Sequence, residues 1–235
     1  MKYIKYFFQY LIIKIFFIFF KIIGYRRASN VGEFIGRNFG PLFKSKKIVK
    51  KNILNYNPNL NEKLLENFIK KMWGNYGRIF AEYMFIKDFR INKLDNHLKI
   101  NGSEHLNEIK KKNKPVVFIS AHFSNFELMA MQIEKSGINL GAVYRPLNNI
   151  FLNKTMEELR KKYICKLQIK KGLTELKDIL KIFKNNFSIA MMIDQRVTEG
   201  ITIDFFNKPA FTTSIPAQLV KKFKCPIVPV HIERK

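Results

Sequence analysis

Apolar side chains dominate the first two dozen residues of the chain. The segment from Tyr3 to Ile23 reads YIKYFFQYLIIKIFFIFFKII. As a helix it is expected to be about 31 Å long, close to the thickness of bilayer hydrocarbon. Lys14 lies near its middle, where a lysine costs about 2.5–3.5 kcal/mol in a spanning helix. The pattern predicts a membrane anchor helix over residues 1–24, which either spans the bilayer or lies tilted in its interface.

Helical spacing of apolar positions continues through the next part of the chain. Residues 31–53 and 58–88 are predicted to be helical, and Asn59 or Asn61 is predicted to cap the second of these segments. We therefore expect a helical, membrane-proximal part between the anchor and residue 100. The apolar positions that carry this prediction for the second segment are Leu60, Leu64, Leu65, Phe68, Ile69 and Met72.

Beyond Gly102, short apolar runs alternate with helical stretches. Such alternation predicts an α/β protein with a mostly parallel, buried sheet flanked by helices. We expect one domain over residues 25–235, in which the α/β core occupies residues 101–235. The predicted strands are Val116–Ser120, Leu140–Tyr144, Leu167–Ile169, Ile189–Ile193 and Ile227–Ile232, and the predicted helices are 123–136, 149–163, 173–185 and 213–223.

The chain is strongly basic, with 43 Lys and Arg against 18 Asp and Glu and a formal net charge of +25. Such a charge predicts an anionic partner, which is a nucleic acid, a membrane surface or an acidic protein. Because 34 of the 43 basic residues are lysines in a chain that is also rich in Asn, Ile and Phe, the nine arginines are the more informative ones. Arg26 and Arg27 directly follow the apolar helix and place that flank on the cytoplasmic side.

The first candidate for chemistry lies where the predicted strand 116–120 runs into a helix. His122 follows the strand and Glu127 stands five residues later. Five residues turn an ideal helix by about 500°, so these side chains meet only if His122 is in the turn and Glu127 begins the helix. A carboxylate on one imidazole nitrogen raises the basicity of the other, which predicts a general base at His122.

Two cysteines, Cys165 and Cys225, exclude a disulfide framework, and we expect both to be reduced and non-catalytic.

Four blocks of sequence carry a resemblance to a known family, and the first of them contains His122 and Glu127. They are AHFSNFE at 121–127, VYRPLNN at 143–149, MMIDQR at 191–196, and IDFFNKPAFTT at 203–213 followed by PIVPVHIER at 226–234. In this order, and behind an apolar N-terminal helix, they resemble the lipid A biosynthesis acyltransferases. These form the lauroyl/myristoyl family within the wider glycerolipid acyltransferase superfamily. The ordered set is far more specific than any one block.

The resemblance implies a glycerolipid acyltransferase-like fold and acyl transfer from acyl carrier protein to a hydroxyl of a Kdo-bearing lipid A precursor. The reaction is expected at the cytoplasmic face of the inner membrane, without metal or organic cofactor. The anionic partner is then a lipid and the acidic carrier protein, and no nucleic acid is expected. The resemblance implies that His122 is the catalytic base, that Glu127 is the catalytic partner that orients it, and that Arg145 binds a phosphate of the substrate lipid or of the donor's phosphopantetheine. Asp194 and Gln195 follow the strand that ends at Ile193, so they are expected either to support the catalytic residues or to bind the acceptor substrate.

The acceptor and the end of the chain are less constrained by these patterns. The alternatives are an acyltransferase of the same superfamily that acts on a glycerophospholipid or another glycolipid, and a non-catalytic basic protein that binds membranes.

The chain ends at HIERK, whereas relatives are expected to continue with further strands and helices, so we expect a C-terminal truncation. The aromatic segment at 205–211 is expected either to form an apolar loop that touches an acyl chain or to pack in the core.

Overall fold

The computed structural model describes residues 2–42, 46–172, 174–197 and 200–235. Its contacts divide the chain into two compact units. The first consists of Met1–Leu11, Ile86–Ile201 and Phe211–Lys235, and the second of Ile12–Phe85 and Thr202–Ala210. The N-terminal helix therefore contributes residues to both units.

The helices follow the predicted order along the chain, and the strands are confined to its second half. The helices are α1 Lys2–Ile23, α2 Tyr25–Phe39, α3 Lys46–Tyr56, α4 Glu62–Glu82, α5 Ile86–Arg90, α6 Ser103–Lys112, α7 Glu127–Lys135, α8 Ile150–Leu159, α9 Glu175–Lys184 and α10 Ile215–Phe223. The strands are β1 Val117–Ser120, β2 Leu140–Tyr144, β3 Leu167–Lys170, β4 Ser188–Met192, β5 Ile201–Phe205, β6 Lys208–Thr212 and β7 Ile227–Pro229.

One predicted helix in the first half is divided in the structure, and one of the two caps predicted for the next helix forms. The segment predicted as one helix over 31–53 contains the end of α2, a short 3₁₀ turn at Gly40–Leu42 and most of α3. Pro41 lies in this turn, and its ring and missing N–H do not suit a helix interior. Of the two predicted caps for α4, Asn61 is the one that forms, because its Oδ1 accepts a hydrogen bond from the backbone N–H of Leu64 at 2.9 Å.

Close packing of α2 against α4 organises the second unit. A Cβ atom built on Gly77 would lie 1.9 Å from the carbonyl oxygen of Gly32, so only glycine permits this backbone approach. A buried polar network accompanies the contact. The Ser29 hydroxyl donates to Glu82 at 2.6 Å, and Arg78 donates to Ser29 at 2.8 Å and pairs with Glu33. Hydrogen bonding offsets the cost of burying the Glu82 carboxyl group between the two helices.

The first unit is built on a five-stranded, fully parallel sheet with the strand order β3-β2-β4-β1-β7. The prediction of an α/β fold with a parallel sheet is confirmed. Its central strands are apolar on both faces, and Val117 and Ile189 are completely buried, as expected for a sheet covered by helices. Because all five strands run in the same direction, their carboxyl ends lie along one edge.

Strands β5 and β6 form a separate two-stranded sheet within the segment that was expected to be an apolar loop or part of the core. Two residues, Phe206 and Asn207, connect the strands, and both have positive φ angles, 50° and 56°. This is the backbone of a two-residue hairpin turn that prefers Asn or Gly at both positions. Phe205, Phe206 and Phe211 are exposed, so the core alternative was wrong for these three rings.

Candidate active site

Neighbouring strands of the parallel sheet bring four of the five predicted site residues to one edge. Strands β1 and β4 pair in a register that sets Ser120 opposite Met192, and the next ladder bond runs from the Ile193 N–H to the Ser120 carbonyl at 2.9 Å. Two residues beyond this pair lie His122 on one chain segment and Asp194 on the other. Arg145 follows β2, on the other side of β4. Such carboxyl ends are where open α/β sheets bind their ligands.

His122 is held by both oxygens of the Asp194 carboxylate. Its Nδ1 lies 2.7 Å from Oδ1, and its backbone N–H donates to Oδ2 at 3.0 Å. Partial burial acts to raise the pKa of Asp194. The hydrogen bonds from the His122 side chain and backbone outweigh it and hold this pKa below its ordinary value. Asp194 therefore stays ionised at neutral pH and fixes the position of the imidazole ring.

This contact determines which imidazole nitrogen is available for chemistry. With Nδ1–H donating to the carboxylate, Nε2 on the far side of the ring carries the lone pair that can accept a proton. The negative charge of Asp194 also stabilises the imidazolium that forms when Nε2 is protonated. The ring of Phe126 packs edge-on against the imidazole at 4.7 Å and supports the same orientation. An imidazole held in this way has the geometry that a general base requires.

Glu127 is the first residue of α7, and His122 lies in the turn before it, so the geometric condition set by the spacing is met. Glu127 is buried, and its Oε1 accepts two hydrogen bonds from Arg160, from Nε at 3.0 Å and Nη2 at 2.6 Å. The Arg160 guanidinium also lies 5.7 Å from the ring centre of Tyr144. A hydrogen bond between His122 and Glu127, direct or through one water, stays a prediction.

The segment that carries Arg145 is braced by polar side chains of α8. The Tyr144 hydroxyl donates to Glu157 at 2.5 Å, Asn153 donates to the same carboxylate oxygen at 2.8 Å, and the Leu147 N–H donates to Asn153 at 2.8 Å. Burial, followed by the hydrogen bond to Glu157, raises the pKa of Tyr144 to about 12. Tyr144 therefore acts as a hydrogen-bond donor at physiological pH.

The two remaining predicted residues lie at the same edge with their side chains exposed. Arg145 is the first residue after β2, and Gln195 follows Asp194 directly. Exposure suits a role in binding an anionic substrate.

The thiol of Cys165 is buried, which raises its pKa to about 12, so the thiolate needed for nucleophilic attack is not formed at neutral pH.

Arg160 and Asn149 are site residues that the sequence patterns missed. Arg160 is one of only nine arginines, and this scarcity was the one signal that marked it. Its partner Glu127 lies 33 positions earlier, beyond the reach of helical spacing. Asn149 was part of the block VYRPLNN but carried no predicted role. It is buried, and it caps α8 by accepting hydrogen bonds from the N–H groups of Phe151 and Leu152.

The first helix has the features predicted for a membrane anchor. Within the described residues, α1 is the helix long and apolar enough to cross a membrane, and little of it is buried inside the protein. Its exposed side chains are largely Phe, Ile and Leu. Length and composition thus suggest membrane association.

The fold and the site together define an α/β protein that holds a histidine–aspartate pair at the carboxyl edge of a parallel sheet. The family model described as bacterial lipid A biosynthesis acyltransferase matches residues 1–235, which is the whole chain. The chain belongs to this family, and the predicted resemblance is confirmed. By its family the protein is an acyltransferase. No curated protein matches the chain.

Proposed function

We propose that the protein transfers a fatty acyl chain from acyl carrier protein to a hydroxyl of a Kdo-bearing lipid A precursor, with His122 as the general base. Family membership supports lipid A acylation in general. The observation that carries the chemistry is the 2.7 Å contact between His122 Nδ1 and Asp194. It leaves Nε2 as the proton acceptor at the edge of the sheet where ligands bind.

In the proposed reaction, Nε2 of His122 removes the proton of the acceptor hydroxyl while that oxygen attacks the thioester carbonyl of the donor. The tetrahedral intermediate then collapses, the carbon–sulfur bond breaks, and the imidazolium returns the proton to the departing thiolate. The carboxylate of Asp194 stabilises the imidazolium through both half-reactions. The reaction needs no redox change and leaves the enzyme in its starting protonation state.

Glu127 is proposed to orient the base from the other end of the turn at 121–126. Its ion pair with Arg160 holds the first residue of α7 in place, while Asp194 holds the imidazole. The turn between them is thereby fixed at both ends. The positive end of the α7 dipole is a favourable site for the oxyanion that develops on the thioester carbonyl.

Arg145 is proposed to bind a phosphate, either of the acceptor lipid or of the donor's phosphopantetheine. Its guanidinium matches two phosphate oxygens at once, which a lysine does not. Gln195 and Asp194 lie at the end of the neighbouring strand and are proposed to contact the acceptor near the hydroxyl that reacts. The acidic surface of a carrier protein also suits the net charge of +25.

The proposed location is the cytoplasmic face of the inner membrane. The apolar helix α1 and the arginines that follow it support this orientation, because cytoplasmic flanks of membrane helices are enriched in Lys and Arg. Carbonate extraction of membranes tests whether α1 spans. We expect the protein to stay in the membrane pellet, and release equal to that of a soluble control would exclude a spanning helix.

The proposed reaction is tested with full-length protein in vesicles, acyl carrier protein charged with a fatty acid, and a Kdo-bearing lipid A precursor. We expect acylated precursor in mass spectra, and a turnover lower by about 10²–10⁴-fold for His122→Ala. His105→Ala is the matched control, since His105 lies exposed on α6. Wild-type turnover in His122→Ala would exclude the general-base role. A parallel reaction with a lysophospholipid acceptor tests the alternative acceptor class.

A further inference from the structure

Asn149 connects the segment that follows β2 with the first helix. Its Nδ2 donates a hydrogen bond of 2.8 Å to the backbone carbonyl oxygen of Tyr6 in α1 and lies 3.4 Å from the side-chain oxygen of Gln9. Only 9% of Asn149 is exposed. The amide nitrogen thus contacts a partner 143 positions away, and the cap of α8 does not need this contact because capping uses only the Oδ1 atom.

Aromatic packing strengthens the same contact. Phe151, in the first turn of α8, lies with its ring centre 5.6 Å from that of Phe7 and 6.1 Å from that of Tyr10. Tyr6 and Phe7 are adjacent in α1, and Tyr10 lies about one turn further along the helix. The first part of α1 is therefore docked on the start of α8 within one compact unit, and is more than a tether to the membrane.

The docked contact is close to Arg145 along the chain. Asn149 lies four positions after Arg145, and the Leu147 N–H between them donates to Asn153. The segment 145–149 is thus braced by α8 at its middle and by α1 at its end. An arginine that binds a phosphate needs such bracing, because misplaced guanidinium groups lose bidentate contact.

We propose that α1 is part of the substrate site, and that Asn149 is the positioning residue that transmits its placement to Arg145. The ligand is a phosphate-bearing lipid. The inference rests on the proposed function in one respect, the role of Arg145 as the phosphate ligand. It extends that function, because the membrane helix then determines the affinity for the lipid as well as the location of the protein.

The chemistry of asparagine allows the two contacts of this residue to be separated. Serine is a good helix cap, but its hydroxyl is one bond shorter than the amide of asparagine and does not reach Tyr6 while it caps α8. Asn149→Ser therefore keeps the cap and removes the contact with α1. Asn61→Ser is the matched control, because Asn61 caps α4 through the same atom and its amide is exposed.

The test uses the full chain in vesicles and measures KM for the lipid A precursor and kcat separately. We expect Asn149→Ser to raise KM about tenfold with kcat changed less than about threefold, since a binding interaction is weakened. Asn61→Ser should change neither. A value of KM equal to wild type in a folded Asn149→Ser protein would overturn the proposal, as would an equal loss in both variants.

Hydrogen exchange of the amides at 145–149 provides a measurement that does not depend on turnover. We expect faster exchange there in Asn149→Ser and unchanged exchange in β4. If wild-type protein transfers no acyl chain, the proposed function fails, yet this exchange still tests the bracing. Should Asn149→Ser fail to fold, Phe7→Leu with Tyr10→Leu keeps α1 apolar and removes its ring contacts with Phe151. Wild-type exchange and wild-type KM in that double variant would also overturn the proposal.

Discussion

The imidazole of His122 and the carboxylate of Asp194 are 2.7 Å apart, although 72 positions separate them in the chain. The contact follows from the strand order, because β1 and β4 are neighbours in the sheet while β2 and β3 intervene in sequence. Both residues lie two positions beyond paired strand ends. The pair therefore defines where a proton can be accepted.

Replacing Asp194 by Asn should lower kcat strongly while the fold is kept. An amide keeps the shape of the carboxylate but lacks its charge, and it favours the tautomer that protonates Nε2 instead of Nδ1. We expect a loss of about 10²–10⁴-fold in acyl transfer, comparable to that of His122→Ala. Asp204→Asn, at an exposed site in β5, is the control. Equal kcat values for Asp194→Asn and wild type would show that the carboxylate has no part in the reaction.

Acid should weaken the folded state in a way that depends on Asp194. The pKa of this carboxyl group is lowered in the folded protein, so the unfolded chain takes up its proton first as the pH falls. The stabilisation is present above the unfolded pKa and is lost as the pH falls through the folded pKa. Denaturant unfolding of the wild type and Asp194→Asn as a function of pH measures this loss. The free energy of unfolding of Asp194→Asn should depend less steeply on pH in the acid range than that of the wild type. Identical slopes would contradict a lowered pKa of Asp194 in the folded protein.

Breaking the Glu127–Arg160 pair should destabilise the protein more than breaking an exposed pair. The two side chains are 8% and 13% exposed, so Arg160→Met leaves the Glu127 charge buried at a cost of about 3–5 kcal/mol. The exposed Lys50–Glu62 pair serves for comparison, and Glu62→Gln should cost less than about 1 kcal/mol. Denaturant unfolding gives both values. A cost for Arg160→Met as small as that for Glu62→Gln would contradict a buried ion pair.

The hairpin between β5 and β6 should be more stable with asparagine at its turn. Phe206 has a φ of 50°, a conformation that costs a side chain with a Cβ about 1–2 kcal/mol but that Asn tolerates. Its ring also packs edge-on against Tyr56 at 5.0 Å, which any smaller residue removes. Both Phe206→Asn and Phe206→Leu lose this ring contact, so the difference in stability between the two variants reports the turn conformation. The Asn variant should unfold at a higher denaturant concentration, and the reverse order would contradict the turn geometry.

Hydrophobic patterns along the chain were enough to place most elements of the sheet. Strand β2 occupies the predicted residues Leu140–Tyr144, and β1 lies within the predicted run. Continuous apolar runs between helical stretches are a local property, so they locate buried parallel strands directly. The hairpin at 201–212 was missed, because its aromatic residues resemble a core segment and its turn lacks glycine.

By itself the sequence determined the α/β class, the apolar helix α1, the basic charge and the family, since each of these depends on composition or on blocks read in order. Only the tertiary structure decided the partners: Asp194 for His122, Arg160 for Glu127, and Tyr6 for Asn149. These pairs are set by strand order and helix docking. Many residue pairs have the right chemistry, and only the fold selects which of them come within hydrogen-bond distance.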